Sequence, residues 1–141
     1  GTVNQTNVDF YNNVIDEMIA NDIRPVMNLF HFDLPVELYH KCGGWESKHV
    51  VESFVKFAEQ SFKLFGDRVK DWFTFNEPMV VVEGAYLNQF HYPNLVDGKK
   101  ALQVAYNIQL ASSKAIKVFK EVNQNPEGKI GIISLSLFNL K

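Results

Sequence analysis

Three short apolar runs, Val26–Leu29, Asp71–Phe75 and Lys129–Leu135, divide this sequence of 141 residues. Between them the apolar residues recur every three or four positions, the period of a helix. The resulting order is helix, strand, helix, strand, helix, strand. Parallel strands cannot be joined by a tight hairpin and need long crossovers, so this order predicts an α/β fold with a parallel sheet. The length suits one domain over residues 1–141, with enough chain to bury a core. A hydrophobic content of 46% excludes a disordered class.

The periodicity predicts a first helix from Asn7 to Ala20, with Phe10, Val14, Ile15, Met18 and Ile19 on its apolar face. Asn7 or Thr6 would cap it and Asp9 would lie in its first turn. Ser47 is placed to cap a second helix. Phe54, Phe57, Ala58, Ser61, Phe62 and Phe65 form the inner stripe of that helix, and Gly66 stops it at C′. A long helix from Lys99 to Val122 would turn Ala101, Ala105, Ile108, Ala111 or Ser112, Ala115 and Phe119 inward. Met79–Val82 fits strand or helix by period, and Glu83-Gly84-Ala85 favours a short helix. The connection His31–Lys48 is long for a compact domain; such connections carry function or short helices, and Val36–His40 reads as one turn.

The chemistry concentrates where apolar runs end. Asp71-Trp72-Phe73-Thr74-Phe75 gives way to Asn76-Glu77-Pro78, and Pro78 cannot continue a strand ladder. Glu77 therefore stands at the carboxyl end of a buried strand, where α/β proteins carry ligands and catalytic groups. Among aromatic residues a carboxylate is partly desolvated, which suits it to donating a proton. The plain alternative is a solvated turn. His31 ends the preceding strand, and parallel neighbours end on the same side, so His31, Asn76 and Glu77 are expected to converge. His31 has the alternative of satisfying a loop carbonyl. Asp33 reads as a second carboxylate or, before Leu34-Pro35, as a turn residue. Phe32 and Trp45 are candidates to stack on a sugar ring, or core.

Other classes are set aside. A net charge of −2 gives no attraction for nucleic acid or an anionic membrane. No apolar run approaches the ~20 residues of a membrane helix. Cys42 stands alone, so no internal disulfide forms, and a reducing cytoplasm is the expected compartment. His40, His49 and His91 lack metal-ligand spacing, so no metal is expected, and Cys42-Gly43-Gly44-Trp45 is not a phosphate loop. The polar opening Gly1–Gln5 has no signal-peptide profile, and without an initiating methionine the chain reads as a cut piece.

Three segments carry a resemblance. Thr74-Phe75-Asn76-Glu77-Pro78 resembles the acid/base motif of family 1 glycoside hydrolases, the β-glucosidase and 6-phospho-β-glucosidase group. Leu29-Phe30-His31-Phe32-Asp33-Leu34-Pro35 is similar to the family's preceding strand-end motif, and Phe65-Gly66-Asp67-Arg68-Val69-Lys70 to the run leading into the acid/base strand. Their order and gaps match too. The resemblance implies Glu77 as general acid/base, with His31 and Asn76 on sugar hydroxyls. Phe32 stands where many members carry Trp. With Phe90-His91-Tyr92-Pro93, that looks like the bacterial enzymes for 6-phospho-β-glucosides. No cofactor is implied. The implied fold is a (β/α)8 barrel, which needs ~250 residues, so this chain holds about three strands with flanking helices. A retaining glycosidase also needs a second carboxylate ~5 Å away; the family's Thr-Glu-Asn-Gly-like motif is absent here. The expectations are an inactive isolated segment that self-associates through its open edges, or a non-catalytic carbohydrate-binding or assembly module.

Overall fold

The computed structural model describes residues 2–134. Its elements run α1 (Gln5–Ala20), β1 (Val26–Asn28), α2 (Val36–Cys42), a 3-10 turn (Gly44–Glu46), α3 (Lys48–Phe65), β2 (Asp71–Asn76), α4 (Pro78–Tyr86), α5 (Gly98–Val122) and β3 (Lys129–Ile133). The three strands form one parallel sheet in the order β1-β2-β3. The predicted α/β alternation is thus the observed one. Met79–Val82 is helical, and β3 is described to Ile133; Leu135 lies outside the described residues.

Helices cover one face of the sheet. Trp72 of β2 meets Phe62 of α3 edge to face at 4.9 Å, and Phe62 meets Phe119 of α5 at 5.1 Å. Between them Thr74 Oγ1 pairs with Ser112 Oγ of α5 at 2.8 Å, with both residues buried. On α5 the buried set is Ala101, Val104, Asn107, Ile108, Ala111, Ser112, Ala115 and Phe119. Val104 and Asn107 were not anticipated, and Ala105 is only half-buried. Ser47 caps α3 by accepting from the His49 N–H at 3.1 Å, as expected.

Three local expectations need correction. Neither Asn7 nor Thr6 caps α1: Asn4 does, its side-chain oxygen accepting from the Thr6 N–H at 3.1 Å. Asparagine is among the best N-caps, so the helix extends back to it. Asp9 then falls beyond the first turn, where it accepts from Gln5 Nε2 at 2.8 Å. The α1 stripe is not buried as drawn either. Val8 and Ile15 are inside, while Phe10, Val14 and Ile19 are exposed, because little of this chain packs on that side. The helix is held by Arg68, whose two terminal nitrogens donate to Asp16 and Asn12 at 2.7 Å each. On α3, Phe57 points outward at 52% exposure, one position beyond the stripe that the sheet and α5 can cover. Gly66 does end α3, but with φ −69, not left-handed. The reason for glycine is steric: a Cβ there would lie 2.3 Å from the Phe62 carbonyl oxygen.

Candidate active site

The carboxyl ends of β1 and β2 are tied together by the backbone. The Leu29 N–H donates to the Phe73 carbonyl and the Asn76 N–H to the Phe30 carbonyl, both at 2.9 Å. On the other side the Glu77 N–H donates to the Ile133 carbonyl of β3 at 2.8 Å. His31, Asn76 and Glu77 are therefore brought to one end of the sheet, on adjacent strand ends.

A bulge sets the direction of these residues. Phe73 pairs with Gly131 and Asn76 with Ile133, so Thr74 and Phe75 together face the single residue Ile132. Alternation along a strand would place Phe75 opposite Thr74 in face. The extra residue lets both turn to the helices: Thr74 reaches Ser112, and Phe75 packs at 4.7 Å from Phe54 of α3. Bulges bend a strand and re-aim the side chains beyond them. Glu77 comes next, half-buried, with φ 42 and ψ 62, at the start of α4. A left-handed backbone is uncommon outside glycine and concentrates at functional positions. Phe32 shares it, at φ 72.

Asp33 behaves as a turn residue: its Oδ1 accepts the His31 N–H at 2.9 Å, bridging over the left-handed Phe32. Trp45 is not a sugar platform in this structure. It is 3% exposed and sits edge-on to Phe30 and Phe75 at 5.4 and 5.3 Å, so it props both strand ends from the helix side. The Trp45 carbonyl in turn accepts from Asn107 Nδ2 of α5 at 2.8 Å, a buried tie that periodicity could not reveal. Beside it, the Glu46 carboxylate of the 3-10 turn holds the Lys100 ammonium at 3.0 Å. Tyr86, buried at the end of α4, has its phenol pushed well above the ordinary range by desolvation and by the Glu46 charge.

The loop after α4 adds a residue whose place the sequence did not disclose. The Phe90 and His91 N–H groups both donate to the Gly84 carbonyl, at 2.9 and 3.0 Å. A Cβ on Gly84 would fall 2.6 Å from ring carbons of both residues. So seated, His91 lies 5.2 Å from Phe32, ring to ring, and Phe32 lies 5.1 Å from His31. The signals in the sequence were Gly84 in an otherwise bulky helix and the turn-rich run after that helix.

A parallel βα segment with a carboxylate at the end of its central strand is a piece of a barrel hydrolase by architecture. The comparisons make this specific. The model of glycosyl hydrolase family 1 matches residues 1–139, and the chain belongs to that family. It is 54% identical over 133 residues to 6-phospho-beta-glucosidase GmuD of Bacillus subtilis (strain 168), covering 94% of this chain and 28% of that protein. To beta-glucosidase 26 of Oryza sativa subsp. japonica it is 42% identical, covering 94% and 28%. The solved family 1 β-glucosidase of Thermotoga maritima superimposes with a TM-score of 0.89 at 40% identity, over 95% of this chain and 29% of that one. The same Thermotoga enzyme matches equally well in complex with galacto-hydroximolactam. The chain thus spans less than a third of the length of these relatives, as a segment of a TIM-barrel glycosidase. No helix among the described residues is long and apolar enough to cross a membrane.

Proposed function

We propose that this chain is the acid/base-bearing segment of a retaining β-glycosidase acting on β-glucosides, with 6-phospho-β-glucosides as the favoured class. Glu77 first donates its proton to the glycosidic oxygen as the leaving group departs. It then takes a proton from the water that cleaves the glycosyl intermediate. His31 and Asn76 hold hydroxyls of the reacting sugar, and Phe32 packs against its ring. What supports this reading most is Glu77 itself: half-buried, in a strained backbone, at the end of the central strand, with both neighbouring strand ends bonded to the residues around it. The preference for the phosphorylated class rests on the name of the 54%-identical relative and on Phe32 followed by Phe90-His91-Tyr92-Pro93. The lone Cys42 favours a reducing cytoplasm as its compartment.

The partner carboxylate must come from outside this chain, so the isolated segment is expected to release no nitrophenol from aryl β-glucosides or their 6-phosphates. Losing one member of a catalytic set removes most of the acceleration. Mixed with a polypeptide supplying the remaining strands of a family 1 enzyme, it should hydrolyse them. In the mixture Glu77→Gln should abolish cleavage of unactivated glucosides, while a leaving group that departs unprotonated should still be expelled in one turnover. Equal turnover of both substrate types by the Glu77→Gln mixture would remove Glu77 from the acid/base role.

On its own the segment is expected to self-associate. Helices cover one face of the sheet, and the other carries Phe73 beside Gly131 with β1 and β3 as open edges. Open edges template pairing with other chains. A monomer at high concentration in sedimentation would contradict this.

A further inference from the structure

We propose that His91 is a ligand-recognition residue, which supplies a polar ring atom at the place where Phe32 has none. Phe32 lines the candidate site with a phenyl ring that can stack but cannot form a strong hydrogen bond. The ring packed on it is an imidazole: the Phe32 and His91 centroids are 5.2 Å apart with planes inclined at 35°. The other side of His91 is taken by Phe90, at 5.0 Å. Its backbone is fixed as well. The Gly84 carbonyl accepts both the Phe90 and His91 N–H groups, and the His91 carbonyl accepts the Asn94 N–H at 2.8 Å. Gly84 belongs to α4, the helix that Glu77 begins, so the imidazole is positioned by the same element as the carboxylate.

Among the described residues neither ring nitrogen of His91 has a hydrogen-bond partner, although the residue is half-buried and clamped between two phenyl rings. An exposed histidine has water for company and loses nothing. One whose ring is immobilised in an aromatic stack has already lost its rotational freedom, so a hydrogen bond to a ligand costs little further ordering. The rings of His31, Phe32 and His91 succeed one another at 5.1 and 5.2 Å, which places His91 one ring beyond the site residue His31. The ligand chemistry this arrangement fits is a ring bearing hydroxyls: its apolar face lies on Phe32 while one hydroxyl meets an imidazole nitrogen. The proposal rests on the reading of the site given above.

The test is a nuclear magnetic resonance titration of this chain with cellobiose and, separately, with cellobiose 6′-phosphate. It tracks the imidazole signals of the four histidines and the Asn76 side-chain amide. His49, exposed in the first turn of α3, serves as the internal control. The expected result is movement of His31, Asn76 and His91 together, with His49 still. His91→Phe keeps the stack and removes both nitrogens, so it should weaken binding about threefold to tenfold, the loss expected for one hydrogen bond. His91→Gln should recover part of that loss. If His31 and Asn76 move while His91 is silent and His91→Phe binds as before, His91 merely props Phe32 and the proposal is overturned, with the site reading intact. If neither His31 nor Asn76 moves, the site reading fails and takes this proposal with it. Should a variant not fold, the His91 signal of the unaltered chain decides by itself.

Discussion

Asn107 offers the sharpest test of how the helix layer supports the strand ends. The residue is fully buried on α5. It donates through Nδ2 to the Trp45 carbonyl at 2.8 Å and accepts through Oδ1 from Gln103 Nε2 at 3.1 Å. Two replacements of similar size separate its roles. Asn107→Leu removes the donor and leaves the Trp45 carbonyl buried without it, which costs about 1–3 kcal/mol. Asn107→Asp keeps the shape and puts a carboxylate against that carbonyl oxygen. An uncompensated buried charge costs about 3–5 kcal/mol, with relief only through protonation. Against a total of about 5–15 kcal/mol for a domain, the aspartate variant should be marginal and the leucine variant clearly folded. Urea unfolding monitored by circular dichroism measures both. Because the Trp45 ring lies against Phe30 and Phe75, its fluorescence should shift in Asn107→Leu even where the fold survives. An aspartate variant as stable as the parent would refute the reasoning, for it would mean that Asn107 reaches water.

Two further outcomes rest on single residues. Arg68→Met removes the donors to Asp16 and Asn12 and should release α1, so that limited proteolysis cuts within Gln5–Ala20 before any other element; an unchanged cleavage pattern would show that Tyr11 on Phe65 suffices. Tyr86 has a folded-state pKa raised by burial first and then by Glu46. Its contribution to stability is therefore whole below the ordinary tyrosine value of about 10 and is lost as pH climbs above it. Urea midpoints measured across that range should fall with pH in the parent and fall less steeply in Tyr86→Phe.

The architecture was legible because alternation of helix and strand periods leaves few topologies, and because Pro78 marks the end of β2 without ambiguity. Glu77 and His31 were legible for the same reason: each comes directly after an apolar run. What stayed hidden depends on more than one segment at once. Trp45 sits in a glycine-rich loop and reads as a surface platform, yet Phe30, Phe54 and Phe75, from three separate places in the chain, close over it. Phe57 fits the α3 stripe by period, but the stripe is wider than the surface available to cover it. The exposed face of α1 is a similar case: amphipathicity states that a face wants burial, not that the chain supplies the burying surface. His91 was missed as a site residue because it is some sixty positions from Phe32 in the sequence, and only the fold of the loop onto Gly84 brings the rings together.

The bulge in β2 ties core packing to the candidate site. In a regular ladder Asn76 would share a face with Trp72 and Thr74, pointing its amide at the helices, while Phe75 would turn to the open side of the sheet. One additional residue reverses this for everything beyond Phe73. The burial of Phe75 is one force that drives the reversal. A phenyl ring taken from exposure to the fully buried place between Phe30, Trp45 and Phe54 stabilises by about 1.5–3 kcal/mol, against roughly one net backbone hydrogen bond lost at the bulge. The Thr74 hydroxyl adds its bond to Ser112 on the same side. Burying an aromatic residue therefore turns the next two side chains, an amide and a carboxylate, away from the core and toward the strand ends. A polar pair at that position needs no separate stabilisation to hold its direction, because the hydrophobic layer beneath it has already chosen the register.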